Sequence, residues 1–294
     1  MQGISIIIPT YNGIDLLKQH LPPVIEEANS YEGECEIIVV DDGSTDGTVR
    51  HLHDIFTEIQ VLPKDRNEGF SRSVNAGVRR SRLPLLLLLN NDIEISRPLL
   101  GPLSSEFSAP DLFAVQPKMV TGTGDKGDHR NVIVRKPGFL QYKYEKIAPA
   151  PHRPVEMDFV SGGCSMFAKT KFIALGMFDE RLSPVYFEDI DICRRAAYAG
   201  WKMLWRRDVI VYHRHPASTV NRTYSRFAKN VVHKKNYFIF LLKHIPFFKA
   251  PWLSPIVIPL YVVWKLLCGK GAFFIGFAGA LREYYFSSRQ SVKK

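Results

Sequence analysis

The first 120 residues repeat one unit: a short β-branched apolar run, a stretch with helical spacing, and a turn. Ile4 to Pro9 is the first run, and Asp15 to Ala28 follows it with Leu16, Leu17, Leu21 and Ile25 at helical spacing. Glu36 to Val40 is the second strand, with Ser44 or Thr45 placed to cap the helix through Val49, Leu52 and Phe56. Ile59 to Leu62, then Asn67-Glu68-Gly69 leading into a helix over Phe70 to Val78, make the third unit. Leu85 to Leu89 is a fourth strand, apolar throughout, as a strand covered on both faces must be. The expected fold class is therefore α/β, a Rossmann-like, mostly parallel sheet flanked by helices. Ligands on such sheets bind beyond the carboxyl ends of the strands.

The chemistry-bearing residues fall at those ends. Thr10-Tyr11-Asn12 follows the first strand, Asp41-Asp42-Gly43-Ser44 closes the second, and Asn90-Asn91-Asp92 follows the fourth. An Asp at a strand end accepts a base N–H or a ribose hydroxyl, which points to Asp42; capping of the next helix is the structural alternative. One carboxylate plus phosphate oxygens is an ordinary protein share of a divalent-cation site, so Asp92 is the expected metal ligand, with Asn91 on ribose or phosphate. A plain Asx turn would use the same residues.

A second constellation lies at Tyr186 to Trp201, YFEDIDICRRAAYAGW, where Glu188 and Asp189 open an amphipathic helix. Removing the proton of a sugar hydroxyl that attacks an anomeric carbon calls for a positioned carboxylate, and direct displacement with one such base inverts that carbon. The same two acids would stabilise the first helical turn by ~0.3–1 kcal/mol if they did nothing else. Asp191 is read as a helix-stabilising or arginine-pairing group. His213, ending the strand-like Val209 to Tyr212, is a candidate second metal ligand or diphosphate contact. Arg72, near the start of the third helix, has the forked guanidinium that grips a phosphate.

Net charge is +10, and its distribution matters more than its size. From Arg222 to Lys294 there are 13 Lys and Arg against one acid, Glu283, so the rest of the chain is nearly neutral. That tail is also apolar and aromatic, through Tyr237 to Leu242, Phe247-Phe248, Trp252 to Leu267 and Ala272 to Leu281. Basic residues interleaved with Trp, Tyr and Phe suit an anionic lipid surface. No nucleic-acid partner is expected, since no helix-turn-helix, RNP or zinc pattern accompanies the charge. The run Pro251 to Leu267 is broken by three prolines and falls short of the ~20 apolar residues of a spanning helix, which favours a peripheral or monotopic attachment. The expected organisation is a catalytic domain over 1–221 and a basic, membrane-associating helical extension over 222–294. Four scattered cysteines and no secretory leader fit the cytoplasmic face of the membrane. The polar, Gly-rich stretch Gly122 to Arg135 reads as a mobile loop.

Seven blocks in order, SIIIPTYNG, IIVVDDGSTDGT, NEGFSRSVNAG, LLLLNND, VSGGCSMFAKT, GMFDERLSPVYFEDIDICRRAAYAGW and VYHRHPAS, resemble the inverting glycosyltransferases of family 2, with the GT-A fold. The match covers roughly Ile4 to Ser218, and its flavour is that of bacterial rhamnosyltransferase-like enzymes. The resemblance implies that Pro9, Tyr11 and Asp42 surround the nucleobase and that Asn90 to Asp92 stands where the family's metal-binding DxD lies. It implies further that Asp189 is the base of the ED motif and that His213 belongs to the terminal His block. Asn67 falls on the nucleotide side; Gly162, Gly163 and Trp201 fall on the acceptor side. Asn90 occupies the first DxD position, and Pro216 stands in the His block where Gly is more usual.

The expected activity is transfer of a sugar from a UDP- or dTDP-linked donor to a hydroxyl of a lipid-linked or growing cell-surface glycan, assisted by a divalent metal, Mg or Mn. Two alternatives are a sugar nucleotidyltransferase on a similar sheet and a non-catalytic nucleotide-sugar-binding scaffold at the membrane. The first wants a Gly-rich, basic loop after strand one, where this chain has Pro9-Thr10-Tyr11-Asn12-Gly13. The second would bind nucleoside diphosphate without turnover.

Overall fold

The structure is a computed structural model, and it describes residues 1–121, 129–136, 139–146, 154–213, 223–245 and 271–287. The parallel half of the sheet forms as the sequence indicates. β1 (Ile4–Thr10), β2 (Cys35–Asp41), β3 (Gln60–Pro63) and β4 (Leu85–Leu89) lie in the order β3-β2-β1-β4, all parallel. Helices α1 (Ile14–Ser30), α2 (Thr48–Ile55) and α3 (Phe70–Arg80) make the crossovers. Pairing aligns Thr10 with Asp41, so the first two motif turns leave the sheet side by side.

Beyond β4 the sheet becomes mixed. β5 (Ile93–Ile95) and α4 (Leu100–Ser104) precede β6 (Leu112–Thr121), a β7–β8 hairpin (His129–Lys136 and Phe139–Lys146) and β9 (Val155–Met157). β10 (Cys164–Ala168) lies antiparallel between β4 and β6, and β11 (Lys202–His213) runs parallel to β6 while pairing antiparallel with β5 and β9. α5 (Lys169–Ala174) and α6 (Glu188–Tyr198) separate β10 from β11.

Alternation along the strands divides the core in two. Ile6 and Ile8 of β1 join Leu17, Leu21, Leu52 and Leu100 on one face. Ile7 joins Val74, Val78, Phe167, Phe172 and Ile192 on the other. Phe238, Ile239, Phe240 and Leu241 of α7 (Arg226–His244), with Phe273 and Ala280 of α8 (Gly271–Ser287), enter that second cluster. The basic C-terminal segment thus shares a core with the nucleotide-type sheet across position 221. Among the described residues no helix is long and apolar enough to cross a membrane. Phe247-Phe248 and Trp252 to Leu267 lie outside the described residues.

Two sequence expectations are corrected. Helix α2 begins at Thr48, and Asp46, not Ser44 or Thr45, accepts the Thr48 amide at 3.0 Å. Ser44 Oγ instead accepts the Asn12 N–H, and Thr45 donates its N–H to Asn12 Oδ1, both at 2.8 Å, locking the first motif turn to the second. Residues 129–135 are not loop but most of β7, paired with β8 so that Ile133 faces Tyr142. The Asn-Val-Ile-Val-Arg strand signal there is hidden by the Gly- and Asp-rich residues 122–128 before it, which lie outside the described residues.

Candidate active site

A cleft of about 350 Å³ opens beyond the carboxyl ends of β1, β2 and β4. It gathers Pro9, Tyr11, Asp42, Asn67, Asn91, Asp92, Gly162, Gly163, Glu188, Asp189 and His213, which come from turns scattered over two hundred positions.

On the β1–β3 side, Asp41 and Asp42 divide the work. Asp41 turns inward and accepts the Ser44 N–H at 3.0 Å, shaping the turn. Asp42 accepts from Lys64 Nζ at 2.7 Å, from the Glu68 amide at 3.0 Å and from the Gly69 amide at 2.8 Å, so it anchors the Asn67-Glu68-Gly69 turn beside the cleft. A carboxylate has about four lone-pair directions, which leaves one for a ligand hydroxyl or N–H. Gly43 has a φ of +78°, and a side chain there would meet the Arg66 backbone at 2.6 Å; the two turns touch through bare backbone.

The third turn follows β4. Asn91 Nδ2 donates to Thr10 Oγ1 at 2.8 Å, so part of its amide serves to tie this turn to β1. Antiparallel pairing of β5 with β11 sets His213 opposite Ile93, and this register brings His213 Nε2 to 3.2 Å from Asp92 Oδ2. The other oxygen, Asp92 Oδ1, is buried with no partner among the described residues. A carboxylate oxygen left bare beside an imidazole, at the rim of a cleft, has the donor character of a divalent-cation site whose remaining ligands come from diphosphate and water. Among the described residues no cluster of three or more His, Cys, Asp or Glu side chains suits a metal. Positions 214–218, with His215 and Pro216, lie outside the described residues.

The acid pair sits where α6 begins. Asp189 Oδ2 accepts the Gly162 amide at 3.1 Å and Oδ1 accepts the Ile190 amide at 2.8 Å. The carbonyl of the next residue, Gly163, accepts the Asn90 N–H at 2.8 Å. The Gly162-Gly163 dipeptide therefore bridges the acid pair to the Asn90–Asp92 turn through backbone bonds. The two acids are not equivalent. Burial pushes the Asp189 carboxyl above the usual range, with the Gly162 and Ile190 amides pulling the other way. Glu188, which is 4% exposed, is pushed well above the usual range, by burial first and then by the Asp189 charge, and its Oε2 has no partner among the described residues. The pair titrates as a unit above the ordinary carboxylate range, and Asp189, with two amide N–H donors, is the member better placed to carry negative charge. Asp191 faces away from the cleft and pairs with Arg195 at 2.7 Å and with His244 at 2.8 Å.

Two expected residues lie elsewhere. Arg72 does not line the cleft; it is half exposed and pairs with Glu68 and Glu180 at 3.8 and 3.7 Å. Trp201 stacks on Phe113 with ring centroids 6.2 Å apart and carries Lys171 over its face. The 11 residues of α6 separate its environment from Asp189 by about 16 Å of helix, which takes Trp201 out of reach of the cleft. Conversely, Thr223 and Tyr224 line the cleft from beyond position 221. Burial raises the Tyr224 phenol, reinforced by the Asp42 charge. No sequence signal marked either residue, since both fall in what reads as the basic extension.

The family model for glycosyl transferase family 2 matches residues 5–176. The chain belongs to glycosyl transferase family 2. Over 248 residues it is 25% identical to the N-acetylglucosaminyl-diphospho-decaprenol L-rhamnosyltransferase of Mycobacterium tuberculosis, covering 75% of this chain and 79% of that one. Over 234 residues it is 26% identical to an uncharacterised protein, y4gI, of Sinorhizobium fredii, covering 73% of this chain but spanning only 25% of the larger protein. Among solved structures, GalNAc-T7 with UDP, GalNAc and Mn²⁺ superposes at a TM-score of 0.66 and 19% identity, covering 82% of this chain and 48% of that one. That likeness establishes the fold as GT-A. Membership of the family also decides between the two enzyme readings, for use of an activated sugar and against its synthesis.

Proposed function

We propose that this glycosyltransferase moves a sugar, of hexosyl or rhamnosyl type, from a UDP- or dTDP-linked donor to a hydroxyl of a lipid-linked or growing cell-surface glycan, with inversion at the anomeric carbon. The observation that carries the reading is that Asp92 and Asp189 line one cleft, joined through Gly162, Gly163 and Asn90. Pro9, Tyr11, Asp42 and Asn67 would receive the nucleoside, with Asp42 using its remaining lone-pair direction on the base or ribose. Asp92 and His213 would hold Mg²⁺ or Mn²⁺. When bound, that ion neutralises charge on the leaving diphosphate.

Asp189 is the general base. Its two backbone donors keep it the ionised member of the acid pair, while burial keeps it basic enough to accept a hydroxyl proton. A neutral Glu188, as its raised carboxyl favours, would hold the local charge to one. The amides of Gly162 and Ile190 also fix the rotamer of Asp189, which serves the near-attack geometry that a bimolecular transfer requires.

The lipid-linked acceptor is supported by the mycobacterial relative, whose name specifies a diphospho-decaprenol substrate, and by the net basic, apolar C-terminal segment. Anionic lipid would bring the chain to the cytoplasmic leaflet where such acceptors reside. Purified protein should release nucleoside diphosphate from a matching donor only when acceptor and divalent metal are both present. Binding of UDP or dTDP with no release for any lipid-linked acceptor would favour the non-catalytic scaffold.

A further inference from the structure

The segment Arg181 to Phe187 delivers the acid pair to the cleft, and past a 3-10 turn at Glu180–Leu182 it has no regular structure of its own. Its backbone carbonyls are nevertheless all taken. Lys235 Nζ donates to the carbonyls of Arg181 at 3.2 Å and Ser183 at 2.7 Å. Asn236 Nδ2 stands within 2.5 Å of the Leu182 carbonyl, 2.8 Å of Val185 and 2.9 Å of Tyr186. The Pro184 carbonyl accepts the Phe70 N–H at 2.8 Å. The two Asn236 amide protons are thus shared among three carbonyls, and five of the six from 181 to 186 are approached by the side chains of two adjacent residues of α7.

Asn236 is fully buried, with Oδ1 lacking a partner among the described residues. A buried amide that leaves one polar atom unpaired is costly, and an apolar residue at that helix position would pack without the cost. What the amide does is grip the turn just before α6. Tyr186 and Phe187 there have φ of 82° and 75°, a left-handed pair of non-glycine residues costing of order 1–3 kcal/mol each. The His233 ring packs on both, with centroids 5.8 and 5.1 Å away, and Phe240 packs on Phe187 at 5.7 Å. Glu188 and Asp189 follow at once, with Asp189 held at its far end by the Gly162 amide. One stretch of α7, about two turns long and past the end of the family match, therefore fastens a strained turn whose next residues are the acid pair.

We infer that Asn236 is a positioning residue for the transfer reaction: its amide, aided by Lys235, holds the 182–187 turn so that the Asp189 carboxylate keeps its place over the cleft. This rests on the reading of Asp189 as the base. The donor-binding groups Asp42 and Asp92 sit on other turns, so the residue acts on attack geometry more than on donor affinity. α8 supports the arrangement from behind, since Gly276 crosses α7 so closely that a side chain there would meet Lys234 Cβ at 2.7 Å and the Lys235 amide nitrogen at 2.9 Å.

The test uses the full chain, with Asn236→Ala, Lys235→Met and Asp189→Asn assayed beside the unmodified protein for kcat and donor KM, and for UDP or dTDP binding with Mn²⁺. For folded Asn236→Ala, kcat should fall by about 100-fold, the scale set by displacing a reacting group by an ångström, while donor KM and nucleotide affinity stay within about twofold. Lys235→Met, which keeps the aliphatic packing, should shift kcat in the same direction by less. A folded Asn236→Ala with kcat within about threefold of the unmodified protein, or one losing donor affinity as much as kcat, overturns the proposal. If Asn236→Ala does not fold, Lys235→Met decides, and an unchanged kcat sinks it. Asp189→Asn separates the two claims: surviving turnover there removes the base assignment and this inference with it, whereas loss there with intact Asn236→Ala removes this inference alone.

Discussion

His213 Nε2 stands 3.2 Å from Asp92 Oδ2, while Asp92 Oδ1 is buried without a partner among the described residues. The pairing of β5 with β11 makes this contact, so two residues 121 positions apart act as one group. Asp92→Ala should therefore abolish the Mn²⁺-dependent part of nucleoside diphosphate binding and leave the metal-free part nearly unchanged. His213→Ala should weaken the metal-dependent part by about 10- to 100-fold, as loss of an orienting partner or single ligand does. Calorimetric titration of UDP or dTDP with and without Mn²⁺ checks both; metal dependence undiminished in Asp92→Ala would refute the site.

Asp189→Asn keeps the shape of the side chain and the amide contacts to one oxygen but cannot take a proton. Turnover should drop by about 100- to 10,000-fold, the usual contribution of a general base, with the variant still binding donor nucleotide. A single-turnover assay on saturating donor isolates the chemical step, and near-normal turnover would rule out Asp189 as base.

The acid pair also fixes two pH dependences. Because burial raises the Asp189 carboxyl, the acid limb of the kcat profile should lie above the ordinary Asp range near about 4. Glu188 is raised well above the usual range, by burial and then by Asp189. A group raised in the folded state contributes stability that is fully present below its unfolded value and is lost as pH climbs through the folded value. Glu188→Gln, which stays neutral, should thus match the unmodified protein in thermal stability near pH 4 and exceed it increasingly toward pH 8. A stability gap that narrows with rising pH would contradict the buried-acid reading.

How much of this was readable beforehand depends on range. The parallel strands are legible because each is a contiguous apolar run, and the placement of Asp42, Asp92 and Gly162 at strand ends follows from topology alone. Helix ends are less so: Ser44, Thr45 and Asp46 are all good caps, and only the tie between Asn12 and the second turn shows why the first two are engaged elsewhere. Trp201 closes the same sequence block as Asp189, but neighbours in a block need not be neighbours in space when a helix intervenes. Arg72 is drawn off by Glu180, an acid more than a hundred positions away. Tyr224 and Asn236 carry no local pattern at all, because what gives them meaning is the turn each is folded against.

The same buried ion pairs that dock α7 predict an acid sensitivity of the opposite sign to that of Glu188. Burial opposes ionisation of Asp179, but hydrogen bonds from Arg181 and the Lys243 ammonium overcome it and hold the carboxyl far below its usual range. Asp191 is lowered in the same way, with burial outweighed by His244, Arg195 and Lys243. A depressed carboxyl contributes stability that is present above its unfolded value, near about 4, and is lost as pH falls through the folded value. Lys243 bonds both acids at 2.9 Å, so Lys243→Met should lower the melting temperature at pH 7 and narrow the gap to the unmodified protein as pH drops below about 4. Breaking one member of a buried charge cluster typically costs about 3–5 kcal/mol, less here because Arg181, Arg195 and His244 remain on the same carboxylates. Thermal unfolding across pH 3 to 8 measures the gap, and a constant difference would show that Lys243 acts through packing and not through charge.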